Sequence, residues 1–199
     1  MTTRESRTPA RALEPQVSER RQALDRSVQR VVFGALRWGT DHWLALVNLA
    51  AFVAFALPTV AAPLLRLGGY DQQADAIFTL YSLNCHQMPS RSFFPFGEQM
   101  AMCARMTAIH GAFFLFGMTY VALRRRFRPL PMHLMAAYAF PMAVDGVTQL
   151  LGWRESQWEL RVLTGALFSL GVVWYTFPHF DLWMRLTGHS FARQVAALR

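Results

Sequence analysis

Apolar residues in this chain gather into blocks rather than alternating with polar ones. The first block runs from Trp43 to Leu65 with no charged side chain in 23 positions. A second runs from about Met100 to Leu123, interrupted by Arg105 and His110. A third covers about Leu130 to Leu151 with Asp145 inside it, and a fourth covers about Val162 to Trp183 with His179 and Asp181 near its end. Each is close to the roughly 20 residues that a helix needs to cross a bilayer. No sustained period-two pattern suggests a barrel. Pro58, Pro63 and Pro141 fall inside these runs, and packed neighbours can satisfy the backbone groups they free. The pattern predicts an all-α, polytopic membrane protein with four transmembrane helices.

Charge placement orients the helices. All 20 basic residues are arginine and the formal net charge is +8. Eight precede the first block, four lie in Arg124-Arg125-Arg126-Phe127-Arg128, and Arg185, Arg193 and Arg199 follow the last. With four spans these fifteen share one side, which positive-inside bias makes cytoplasmic, with both termini inside. The chain then divides into a basic cytoplasmic segment (1–41), a four-helix membrane domain (42–183) and a cytoplasmic tail (184–199). Val17, Leu24, Val28, Val31 and Val32 recur near helical spacing among arginines. They predict an amphipathic helix over about 17–38, lying on the anionic leaflet, after a disordered start. The long basic lead argues against a cleavable signal peptide. Since the arginines follow the topology, no nucleic-acid partner is expected. The bilayer of the inner (cytoplasmic) membrane is the expected environment.

Only 16% of residues are charged, which excludes a disordered chain, and two cysteines exclude a disulfide-dense scaffold. Phosphate-loop, zinc-protease, hydrolase-elbow and kinase signatures are absent from the sequence. His42, His179 and the six tryptophans read as core or interface residues.

The same topology gathers most of the remaining polar residues on the outer face. They include Cys85, His86, Arg91, Cys103, Arg105, Asp145, Gln149, Arg154, Arg161 and Thr164. Cys103, Met106, Thr107 and His110 share one face of the second helix, and Asp145 and Gln149 share one face of the third. At 1.5 Å per residue, His110 and Asp145 reach similar depths, roughly 10 Å and 9 Å below their helix ends. Ionisable groups at such depth cost about 2.5–3.5 kcal/mol each and mark function, although pairing that merely joins helices is the plainer alternative. Arg91, Arg105, Arg154 and Arg161 lie where positive charge is disfavoured, and guanidinium suits phosphate or carboxylate. Local acids (Asp71, Asp75, Glu98, Glu155, Glu159) could instead balance them.

Cys85 and Cys103 leave three readings open. A disulfide between them would close a loop worth about 3 kcal/mol. A copper or zinc ion could draw on Cys85, His86, Cys103, Met106 and His110, although their spacing matches no zinc motif. Either cysteine could also be a nucleophile with His86 or His110 as base.

The run Cys85-His86-Gln87-x-Pro89-x-Arg91-Ser92-Phe93-Phe94, then Cys103-Ala104-Arg105, Asp145-Gly146-x-Thr148-Gln149 and Arg161-x-x-Thr164-Gly165, resembles a prokaryotic membrane family, domain of unknown function 2085. The resemblance covers roughly residues 75–175. It implies a polytopic membrane protein and brings no established activity. Where that family reads Cys-x-Arg-Cys-x-Gly-x-Tyr, this chain has Met106, Ala108 and His110 in place of the second cysteine, the glycine and the tyrosine. That departure sets metal binding below the disulfide.

The leading expectation is an outward-facing polar pocket for a small anionic or lipid head-group ligand. Arg91, Arg105 and Arg161 would clamp the anion, with Gln149, Arg154 and Thr164 beside it. His86, His110 and Asp145 are candidate proton-transfer groups, and whether any catalysis occurs is left open. Two alternatives are an accessory subunit of a larger membrane complex, and a metal-binding or thiol-redox membrane protein.

Overall fold

The computed structural model describes residues 19–124 and 126–197. The expected disordered start, Arg4, Arg7, Arg11, Arg125 and Arg199 lie outside the described residues. Within them the fold is helical and holds no strand beyond an isolated bridge between Ser92 and Cys103.

Helix α1 (Glu19–Ala51) passes through a π-helical turn at Phe52–Ala56 into α2 (Leu57–Leu67), and α3 (Asp71–Tyr81) returns against α2. A loop with two 3-10 turns leads to α4 (Ala104–Leu123), α5 (Met132–Leu150) and α6 (Trp158–Ala197). Among the described residues three helical stretches are long and apolar enough to cross a membrane: Arg21–Leu67, Ala104–Leu123 and Trp158–Ala197. Helix α5 has 19 residues, but His133, Pro141, Asp145, Thr148 and Gln149 make it less apolar.

From Glu19 on, the stretch expected to form a surface helix continues without a break into the first apolar block. Likewise no break falls near 183, because α6 runs for 40 residues. At 1.5 Å per residue α6 is about 60 Å long, twice a hydrocarbon core. Its far half pairs with α1, where Phe191 meets Phe33 at 6.2 Å between ring centroids.

Packing depends on small residues and caps. A Cβ on Gly171 would come within 2.5 Å of the Tyr138 Cβ, so glycine lets α5 and α6 touch at backbone distance. Gly117 likewise admits the buried Asn48 side chain of α1, whose Nδ2 donates to the Leu44 carbonyl at 2.8 Å. Pro58 has no N–H for the Ala54 carbonyl four residues earlier, and the Tyr81 hydroxyl of α3 donates to that oxygen instead. At the end carrying the 124–131 turn, buried Asp181 accepts from Arg185 at 2.6 Å and lies 3.9 Å from Arg124, joining α6 to the end of α4.

Candidate functional site

The site forms at the opposite end, where the 82–103 loop and the 151–157 turn cover α4, α5 and α6. Asp145, one turn from the end of α5, is 1% exposed. Its Oδ2 accepts from the Arg105 Nη2 of α4 and from Gln149 Nε2 at 3.0 Å. Its Oδ1 accepts from Arg154 Nη2 at 2.7 Å. Arg154 Nε reaches Thr148 Oγ1 at 3.2 Å, and Arg161 Nη2 donates to Gln149 Oε1 at 2.5 Å. Gln149 therefore links the carboxylate to a third guanidinium. One buried acid organises the ends of three helices, because a carboxylate at this depth is tolerable only when its oxygens are filled with donors.

Arg161 is itself 4% exposed, and its Nε donates to the Ser156 carbonyl at 3.0 Å. Its hydrogen-bond partners are neutral. Among the described residues no carboxylate lies within 4 Å of Arg161 or Arg91, and the Arg105 Nε is buried without a partner. The local acids of the sequence therefore do not neutralise these two arginines.

The loop is held by its glutamines. Gln87 takes a left-handed backbone, φ 50°, uncommon for a residue with a side chain. Its Nε2 donates to Phe78 at 2.7 Å and Ala101 at 2.9 Å, while Gln99 Nε2 donates to the Gln87 carbonyl at 2.7 Å. These contacts seat Cys85 beside the amino end of α4, where the Cys103 N–H donates to Cys85 Sγ at 3.2 Å. The Cys103 side chain hydrogen-bonds to the same sulfur, and this chiefly holds the Cys85 thiol down to about 5, against an ordinary 9.0. The Cys103 and Gln87 amides and the His86 charge act in the same direction, and burial opposes them.

Above the Asp145 network lies a cavity of about 440 Å³. Its lining includes Cys85, His86, Arg91, Cys103, Arg105 and Arg161, with Met106 and Gln149. Eight of the residues expected at the site thus line one cavity. Asp145 and Arg154 stand behind it as its frame. Thr164, although buried, donates to the Leu160 carbonyl at 2.8 Å and does not line the cavity.

Cys85 and Cys103 are not bonded to each other here, and the Cys103 backbone N–H reaches the Cys85 sulfur. Of the copper or zinc set, Cys85, His86, Cys103 and Met106 line the cavity, whereas His110 Nδ1 pairs with the Met106 carbonyl at 2.8 Å and its ring stacks on Phe55 at 4.2 Å. His110 lines a separate small cavity with Thr59 and Thr107. Among the described residues no three His, Cys, Asp or Glu side chains are grouped to hold a metal. Sequence reasoning passed over Gln99 and Asn48, and saw Gln87 only as part of a motif; the polar type of each was the only available signal.

The family described as predicted membrane protein, domain of unknown function 2085, matches residues 85–175, the span that builds the loop, α4, α5 and the cavity. An uncharacterised protein of Methanocaldococcus jannaschii is 39% identical over 143 residues, covering 68% of this chain and 91% of that protein. The chain belongs to this family. A second relative of the 2085 family member, an uncharacterised protein of Methanothermobacter thermautotrophicus, is 31% identical over 88 residues, 44% of this chain and 79% of that protein. No solved structure matches the chain.

Proposed function

We propose that the chain is a four-span protein of the cytoplasmic membrane, with both termini inside, whose outward cavity binds a small anion or an anionic lipid head group. Helix α5 is the third of the four spans in this reading, its polar residues being sheltered at the cavity end. The observation that carries the proposal is Arg161. A guanidinium buried to this degree without a carboxylate is costly, and an anion in the cavity beside it would supply the missing charge. Arg91 and Arg105 line the same space, and bidentate donors of this kind suit phosphate and carboxylate groups.

The test is thermal unfolding of the full chain in mild uncharged detergent at constant ionic strength. Inorganic phosphate, phosphatidylglycerol or succinate replaces chloride in turn. One of them should raise Tm in a saturable way, since a ligand that binds only the folded state stabilises it in proportion to RT ln(1 + [L]/Kd). Combined Arg91→Gln and Arg161→Gln substitution should abolish that rise. Phosphate and phosphatidylglycerol separate a free anion from a lipid. No saturable shift with any of the three would overturn the reading.

A further inference from the structure

The cavity holds two thiols that anion binding alone leaves without a role. They come from different elements, Cys85 from the loop and Cys103 from the amino end of α4, and both line the space that the arginines line. The Cys85 sulfur faces the positive end of a 20-residue helix and accepts the Cys103 N–H at 3.2 Å. Such a position favours thiolate over thiol, and thiolate is the nucleophile. The direction of the Cys85 shift agrees with the geometry. Cys103 lies in hydrogen-bond contact with the same sulfur, where a second thiol could displace whatever Cys85 captures.

We propose that Cys85 and Cys103 form a redox-active dithiol that exchanges with a small anionic disulfide bound by Arg91, Arg105 and Arg161. This rests on the anion-binding reading of the cavity. In the first step the Cys85 thiolate attacks one sulfur of the substrate, forming a Cys85–substrate disulfide as the substrate S–S bond breaks and one thiolate leaves. In the second, the Cys103 thiol gives its proton to the departing thiolate and attacks the Cys85 sulfur. The Cys85–Cys103 disulfide forms and the second substrate thiolate leaves. The dithiol loses two electrons and the substrate disulfide gains two, becoming two thiols. The disulfide that the sequence suggested is then one state of a cycle, and the free thiols are the other. A cavity of about 440 Å³ lies within the range of about 300–1,000 Å³ usual for sites that take small organic molecules.

The experiment uses the reduced full chain in mild detergent with two probes, glutathione disulfide, which is anionic, and bis(2-hydroxyethyl) disulfide, which is neutral. Mass spectrometry should show one Cys85–Cys103 bond and two released thiols per chain. The anionic probe should react at least tenfold faster, and Arg91→Gln with Arg161→Gln should remove that preference. Cys103→Ser should trap the probe on Cys85, while Cys85→Ser should trap none on Cys103. Adducts on Cys103 alone, or thiols that stay free after long exposure, would overturn the proposal. If phosphate, lipid or succinate still stabilises the protein in that case, the anion site survives and only the thiol chemistry falls. Equal rates with the two disulfides would overturn the anionic substrate class, and the absence of any anion shift beside it would place the fault in the binding reading.

Discussion

Arg154 Nη2 donates to Asp145 Oδ1 across 2.7 Å, so the turn after α5 is fastened to a carboxylate buried within that helix. Arg105 holds the other oxygen from α4. Asp145→Asn keeps the shape and removes the charge, leaving Arg105 without its anion. Breaking a buried pair costs about 3–5 kcal/mol, and partial exposure of both arginines places this one toward the low end. Tm in detergent should fall by several degrees while membrane insertion is retained. An unchanged Tm would mean that the carboxylate does not frame the cavity.

Much of this was legible in the sequence, and the boundary is physical. Hydropathy marks where a helix meets lipid, so the apolar blocks were visible. It does not mark where a helix stops, and α1 and α6 run past positions 41 and 183 because nothing there breaks them. Depth along a helix was a poor guide to partners: it set His110 level with Asp145, yet Arg105 holds the carboxylate and His110 pairs with the Met106 carbonyl. Rotation about the axis was less so: Cys103 and Met106 line the main cavity, while Thr107 and His110 line another against Phe55. Asn48 carried no sequence signal beyond its polarity, because its role depends on the hollow at Gly117.

Contact between α5 and α6 should be intolerant of one added methyl group. In Gly171→Ala the new Cβ would sit 2.5 Å from the Tyr138 Cβ, an atom fixed to the backbone, so the helices must separate. Overpacking of this kind costs about 1–3 kcal/mol. A measurably lower Tm is expected, and in a Tyr138→Gly background, which lacks that Cβ, Gly171→Ala should cost less. Independent, additive effects would argue against the contact.

Topology can be read by fusions. Cytoplasmic reporters should be active when fused at residue 127 and at the C-terminus. Reporters that work only outside the cytoplasm should be active near residues 72 and 156. Activity on the same side at 127 and 156 would remove α5 as a span and with it the outward placement of the cavity.

Cys85 should be alkylated as a thiolate at neutral pH. With its thiol held to about 5, the rate with neutral iodoacetamide should be nearly flat above pH 6. Below pH 5 it should fall about tenfold per unit, since protonation removes the nucleophile. Peptide mapping in the Cys103→Ala variant would show a midpoint moved upward, because the hydrogen bond from the Cys103 side chain is the main cause of the shift. A midpoint near 9 in the unmodified chain would contradict the geometry around the sulfur.

The last expectation concerns the π-helical turn, where a proline and a tyrosine 23 positions apart act on one carbonyl. Pro58 withholds the N–H that would reach Ala54, and the Tyr81 hydroxyl takes its place. Tyr81 is 4% exposed, so water cannot readily replace the phenol. Tyr81→Phe should therefore cost the desolvation penalty of an unsatisfied buried carbonyl, about 1–3 kcal/mol. Pro58→Ala returns a backbone donor to the same oxygen. Against that background Tyr81→Phe should cost less, and the difference in Tm shifts around the four-protein cycle measures the coupling. Equal losses with and without Pro58 would show that the tyrosine stabilises the bundle through its ring alone, by packing beside Phe55 at 6.4 Å between centroids.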